Sequence, residues 1–272
     1  MGEDRGTPEP ISESGRTYFS FLADMGITKH HGSLDATREL VELCHIAEQK
    51  YVLDVGCGVG ATPAYLAREH GCRVVGIDIT PKMVQRSRER VEREGLSELV
   101  ELRIADARVL PFEDDTFDAV VCESVIAFVE DKQRALDEFA RVTKPGGYVG
   151  ITEVTLLKPT SDAELLDYMA RVAGISGGMM SAGEWESFLR DAGLEDIIAR
   201  AHHIDVRQEA QGRLKRYPIR DILGSLFRLP RMFFRDPSAK EFLKQASGGV
   251  KHLNKETFDY YGYGVYVGRK AS

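Results

Sequence analysis

The chain has 272 residues, of which 29% are charged and 43% hydrophobic, and a formal net charge of -7. These figures fit one large domain, or one domain with an appendage, and exclude wholesale disorder, a collagen and a polytopic membrane protein. The acidic balance argues against a general nucleic-acid binder, which usually carries a basic excess. The first ten residues are polar and acidic and read as neither a signal nor a transit peptide. Residues 1–15 form a loose tail. Between Tyr18 and Ala47 the pattern turns helical in pieces, with Leu34, Leu40, Val41, Leu43 and Ile46 at helix-like spacing and Ser33 or Asp35 as cap.

The period then changes. Tyr51–Val55 is a short apolar run ending in glycines, the pattern of a buried parallel strand. Thr62–His70 reads as a helix stopped by Gly71, Arg73–Asp78 as a strand, and Pro81–Glu94 as a charged amphipathic helix with proline in its first turn. Leu99–Ala105 and Phe117–Cys122 are the third and fourth strands. Asp131–Val142 is a helix ended by Lys144-Pro145-Gly146-Gly147, and Tyr148–Leu157 is the fifth strand. Ser181 and Glu184 form a capping box that opens a helix running to Gly193. Leu194–Val206 and Tyr263–Val267 complete seven strands.

Strands alternating with helices imply an α/β sheet covered on both faces. The expected fold is doubly wound, with a mostly parallel, seven-stranded Rossmann-like sheet. The expected parts are a tail and helical lid (1–48), a cofactor core (49–207), a helical insertion or cap (208–258) and a returning last strand (259–272). Cys44, Cys57, Cys72 and Cys122 form no CxxC pair. Reduced buried thiols in a cytoplasmic protein are therefore expected, without disulfide or metal.

The strongest motif is Asp54-Val55-Gly56-Cys57-Gly58-Val59-Gly60. Glycines after a strand let main chain approach a ligand closely. Gly56-x-Gly58-x-x-Ala61 also satisfies the dinucleotide fingerprint, so a nicotinamide-dependent oxidoreductase is a competitor. Asp54 weighs against it, because a carboxylate beside the loop repels a pyrophosphate and attracts a cation. Asp78 lies 22 residues after Gly56, where a carboxylate can hold ribose hydroxyls. Asp106, followed by Ala107, is suited to the amino edge and ring nitrogen of an adenine. The ligand so described is an adenosine with a positive head and no phosphate.

This constellation resembles the class I S-adenosylmethionine-dependent methyltransferases. The resemblance covers about residues 50–155 and most of the later topology. It is carried by Leu53 to Gly60, Gly76-Ile77-Asp78, Ala105-Asp106-Ala107, Leu110-Pro111-Phe112, Phe117-Asp118-Ala119-Val120-Val121 and Lys144-Pro145-Gly146-Gly147. Within the class, the chain is similar to the branch of sterol, quinone and phosphoethanolamine methyltransferases, which Gly32 and Thr37-Arg38-Glu39-Leu40 also fit. The resemblance implies S-adenosylmethionine as cofactor and S-adenosylhomocysteine as product. It implies that Asp54, Gly56, Cys57 and Gly58 line the methionine end and that Asp78 binds the ribose. Ile79 would lie against the adenine, Asp106 and Ala107 would hold its edge, and Cys122 and Glu123 would face the sulfonium and acceptor. Tyr18 is a candidate to close over the cofactor, although packing is the commoner role for such an aromatic.

The acceptor is less legible. Cys122-Glu123-Ser124-Val125 lacks the Asn/Asp-Pro-Pro-aromatic motif of base amino methyltransferases, and no Pro-Cys dipeptide occurs. A small-molecule acceptor is the expectation that remains. A general base matters only when the acceptor loses a proton. Candidates are His31 with its neighbour His30, Glu123, and His203 with its neighbour His202. The stretch Gly212–Arg235 holds seven Arg and Lys against Asp221, interleaved with bulky apolar residues. This pattern fits an interfacial helix that meets anionic membrane or an amphiphilic lipid or quinone acceptor, and equally a cap helix with a solvated basic face. A non-catalytic cofactor-binding module and a homodimer remain alternatives.

Overall fold

The computed structural model describes residues 32–160, 178–204 and 257–272. Seven strands form one sheet: β1 (Tyr51–Val55), β2 (Arg73–Asp78), β3 (Val100–Ile104), β4 (Phe117–Glu123), β5 (Thr143–Leu156), β6 (Leu194–His203) and β7 (Tyr261–Lys270). Their order is β3-β2-β1-β4-β5-β7-β6. The pairings β1–β2, β1–β4, β2–β3 and β4–β5 are parallel, whereas β7 runs antiparallel to both β5 and β6. The chain moves outward from β1 to β3 and then returns to place β4 on the other side of β1. The crevice between β1 and β4 at the carboxyl ends is therefore the topological switch point, where open α/β sheets bind ligands.

The pleat sends alternate residues to opposite faces. Val52 of β1 and Val74 of β2 pack with Leu40 of α1 (Ser33–Leu43), Leu66 of α2 (Ala61–His70) and Val84 of α3 (Pro81–Arg93). Leu53 and Val75 face the other way, toward Leu136 and Phe139 of α4 (Lys132–Val142) and Trp185 of α5 (Ala182–Asp191). Phe117, Phe139, Trp185 and Tyr266 are fully buried. Each such side chain contributes about 1.5–3 kcal/mol relative to exposure. Gly150 lets α1 lie close on β5, since a Cβ there would sit 2.5 Å from Cys44 Sγ. The capping box is present: Ser181 Oγ accepts from Glu184 N, and the Glu184 carboxylate accepts from Ser181 N at 2.7 Å.

Three expectations change. The cap of α1 is Gly32 in a left-handed conformation (φ 78°), not Ser33 or Asp35; Ser33 is buried and Asp35 pairs with Arg38. Lys144-Pro145-Gly146-Gly147 does not merely separate α4 from β5. Thr143 already pairs with Phe117, the four residues bulge outward opposite Asp118, and pairing resumes at Tyr148 with Ala119. Asp118 anchors that bulge by accepting from Tyr51 N at 2.9 Å and pairing with Lys144 at 3.2 Å. β7 extends beyond the expected Tyr263–Val267 at both ends because it pairs with β5 from Tyr148 to Leu156. The insertion 208–258 lies outside the described residues, save for the helical turn α6 (Thr257–Tyr260), and so does the basic stretch 212–235. Among the described residues no helix is long and apolar enough to cross a membrane.

Candidate active site

The glycine loop is set by three neighbouring elements. Gly56 has φ 75°, and a Cβ there would lie 2.2 Å from Val125 Cγ2, so the segment after β4 fills that side. Gly60 has φ 78°, and a Cβ there would lie 2.2 Å from Ser87 Oγ of α3. Arg90, buried on the same helix, donates from Nε to the Val59 carbonyl at 2.9 Å. Gly58 (φ 53°) donates its N–H to Asp78 Oδ2 at 3.0 Å. A cradle so crowded beneath admits no side chain at Gly56 or Gly60 and presents bare main chain at the crevice.

Asp78 ends β2. Its Oδ1 accepts from Thr80 N at 2.8 Å, just before α3, so one carboxylate ties the glycine loop to the start of the next helix. Burial pushes its pKa up, opposed by the hydrogen bonds from Thr80 and Gly58. Ile79 is half-buried beside it. Asp106 lies past β3 and forms an isolated bridge with Val109. It accepts from Arg108 N at 2.8 Å and pairs with the Arg108 guanidinium at 2.9 Å. Burial raises its pKa, but those bonds and the Arg108 charge outweigh burial and hold it below the usual carboxylate range. Ala107 is half-buried in the same turn.

Asp54 is buried under the loop, in register with Val121 of β4. Cys57 sits against β2, since a Cβ on Gly76 would be 3.1 Å from Cys57 Cβ. Burial, with Asp78 and Asp54 adding, pushes the Cys57 thiol well up. Cys122 and Glu123 do not face the crevice together, because successive strand residues point to opposite faces. Cys122 is fully buried in the core beside Ile126 and Ile151 and offers only main chain. Glu123 points toward α1 and α2 and accepts from Thr37 Oγ1 at 2.8 Å and from Thr62 Oγ1 at 2.6 Å.

His202 and His203 sit on β6, three strand spacings from β4, or about 14 Å at roughly 4.8 Å each. His202 stacks on Tyr263 and lies 2.9 Å from Glu39 of α1, which also pairs with Arg200; His203 is exposed. Tyr18, His30 and His31 lie outside the described residues. Sequence reasoning missed Thr37, Thr62, Arg90 and Glu153, which shape the site from behind. For Glu153 the available signal was an acid in an otherwise buried run; Arg90, in a charged amphipathic helix, carried no such signal.

Residues 53–151 match the model of a methyltransferase domain, a span that holds the glycine loop, Asp78, Asp106 and Glu123. That span, and not the whole chain, is what the methyltransferase-domain model matches. The methyltransferase fold extends beyond the matched span. A structure of an S-adenosylmethionine-dependent methyltransferase from Thiobacillus denitrificans in complex with S-adenosylhomocysteine is similar over 98% of this chain and 100% of that one (TM-score 0.70, 19% identity). The [4+2]-cyclase SpnF is similar over 98% and 99% (TM-score 0.73, 22% identity). Among curated proteins, phosphoethanolamine N-methyltransferase 1 of Arabidopsis thaliana is 29% identical over 239 residues, which are 88% of this chain. The match spans 46% of that relative, so the chain corresponds to less than half of its length.

The crevice of the methyltransferase domain fits an adenosyl sulfonium ligand. It combines glycines at positions where a Cβ would meet Val125 or Ser87, a carboxylate at the end of β2 that holds Gly58 N, and Asp54 buried beneath the loop.

Proposed function

We propose that the protein transfers a methyl group from S-adenosylmethionine to a small-molecule acceptor. The observation that carries this is Asp78 joined to the bare glycine loop at the switch point, inside the matched methyltransferase domain. In this reading Gly56 and Gly58 admit the methionine end, and Asp78 holds the ribose hydroxyls. Ile79 packs on the adenine, and Asp106 with Ala107 holds its edge. Asp54, buried beneath the loop, leaves a pyrophosphate without a cationic partner there, which disfavours a nicotinamide cofactor.

The cofactor supplies an already activated methyl group, so the chain's own contribution is alignment and exclusion of water. Neither requires a base unless the acceptor must lose a proton. Both oxygens of Glu123 are engaged by threonine hydroxyls, which suits it to bracing helices. His31 and His30, ahead of α1, and His202 and His203 are the remaining proton acceptors. Residues 208–258 and those before α1 are where acceptor choice would reside. Contact of 212–235 with anionic membrane, a lipid or quinone acceptor, a cytoplasmic location and a homodimer all belong to this proposal.

The test is a screen with radiolabelled S-adenosylmethionine over amines, phenols, quinones and prenyl lipids. Label should appear in one acceptor class. The alternative reading is a non-catalytic module that binds the cofactor without consuming it. Tight S-adenosylhomocysteine binding with no label transfer to any acceptor would select that reading.

A further inference from the structure

Glu153 lies toward the carboxyl end of β5, in a run buried from Val149 to Thr155, and is 0% exposed. Burying a carboxylate is costly unless hydrogen bonds hold it. Its Oε1 accepts from Val125 N at 2.8 Å and from Ile126 N at 2.6 Å. Among the described residues its Oε2 is buried without a hydrogen-bond partner. The main chain it holds is the short 3-10 turn after β4 (Ile126–Phe128) and the residue before it. Val125 is the residue whose side chain occupies the space beside Gly56. Glu153 therefore reaches the glycine loop through one intermediary.

We propose that Glu153 is a positioning residue: it clamps the main chain of Val125 and Ile126, keeps the Val125 side chain against Gly56, and by its charge state tunes the glycine loop for the cofactor. This rests on the methyltransferase reading above. The ionised carboxylate accepts charge-assisted hydrogen bonds, roughly twice as strong as neutral ones, so the clamp tightens when Glu153 loses its proton. Burial pushes its pKa up to about 7, against the pull of the N–H groups of Val125, Ile126 and Ala127 and of the Lys132 charge. The clamp therefore changes state near neutrality. The groups that face it are Lys132 on α4, Cys122 on β4 and Tyr266 on β7. Burial keeps the Cys122 thiol and the Tyr266 phenol neutral through that range. Lys132, whose ammonium donates to the Val129 carbonyl at 2.9 Å, is lowered by burial and raised by Glu153.

The test is calorimetric titration of the full chain with S-adenosylhomocysteine from about pH 5.5 to about pH 8.5, on either side of the usual titration range of a buried carboxylate. The wild type should bind more tightly as pH rises through neutrality. Glu153→Gln keeps an oxygen for both N–H groups but carries no charge. It should match the wild type at the acid end and bind about three- to ten-fold more weakly at the alkaline end, the scale of one hydrogen bond. Profiles that run parallel at every pH would overturn the inference while leaving the methyltransferase reading in place. No binding by the wild type at any pH would overturn both. Should Glu153→Gln fail to fold, Val125→Ala keeps Glu153 and removes the link. Its affinity should fall and its profile flatten, and an undiminished pH dependence in that variant would overturn the proposal.

Discussion

Asp78 Oδ2 accepts the N–H of Gly58 at 3.0 Å, joining the end of β2 to the glycine loop that follows β1. The other oxygen holds Thr80 N, at the start of α3. Removing the carboxylate strands two N–H groups and takes away the proposed ribose contact. Asp78→Ala should weaken S-adenosylhomocysteine binding by about 1–3 kcal/mol, the cost of leaving buried polar groups without partners. Asp78→Asn, which retains one acceptor oxygen, should lose less. Titration calorimetry on the three proteins checks the order.

Gly56 and Val125 form a matched pair. Gly56→Ala places a Cβ within 2.2 Å of Val125 at a left-handed φ of 75°. The variant should lose more than about 1 kcal/mol of stability, from left-handed strain and overpacking together. Adding Val125→Ala removes the clash but not the strain, so the double variant should recover part of the lost melting temperature. Thermal denaturation of both proteins reads this directly.

Much of this arrangement was legible beforehand, and the limits have physical causes. β1, β2, α3 and the capping box were visible because local patterning and tertiary packing agree there. Gly56, Gly58 and Asp78 stood out for the same reason: a turn, a cradle and a strand end each demand a particular residue type. The bulge at Lys144–Gly147 was hidden because a Pro-Gly-Gly stretch reads as a stop, whereas Thr143 pairs before it. The resemblance implies that Cys122 and Glu123, at the end of the fourth strand, both face the sulfonium and acceptor, yet the pleat sends their side chains to opposite faces. Glu153 is the clearest omission. It reads as one residue in a strand, although a lone acid in a buried β-branched run must be held by something.

Glu123 behaves as a brace between helices. Thr37 of α1 and Thr62 of α2 both donate to it. Thr62→Val should cost about 1–3 kcal/mol, since it removes a hydrogen bond to a buried charged group. The accompanying effect should be a lower melting temperature with an unshifted pH dependence of turnover. A shifted pH optimum would instead assign Glu123 to proton transfer.

Stability should also depend on pH through Glu153. Burial pushes its pKa up on folding, from the ordinary 4.5 of a glutamate to about 7. The folded state therefore favours the protonated form. That contribution is fully present below about pH 4.5 and is lost as pH rises through about 7, a span worth about 3 kcal/mol at 1.36 kcal/mol per pH unit. Asp106 acts in the opposite sense, since its lowered pKa contributes stability that is lost as pH falls through the acid range. Glu153→Gln should be more stable than the wild type at alkaline pH, with the gap closing toward about pH 5. Urea denaturation at several pH values measures this.

The crevice at the end of β1 and β2 is the proposed cofactor site. The most direct measurement is calorimetric titration of the full chain with S-adenosylhomocysteine and, separately, with NAD. Saturable binding of S-adenosylhomocysteine, weakened by Asp78→Ala, with no heat from NAD is the predicted result. Binding of NAD with none of S-adenosylhomocysteine would contradict it.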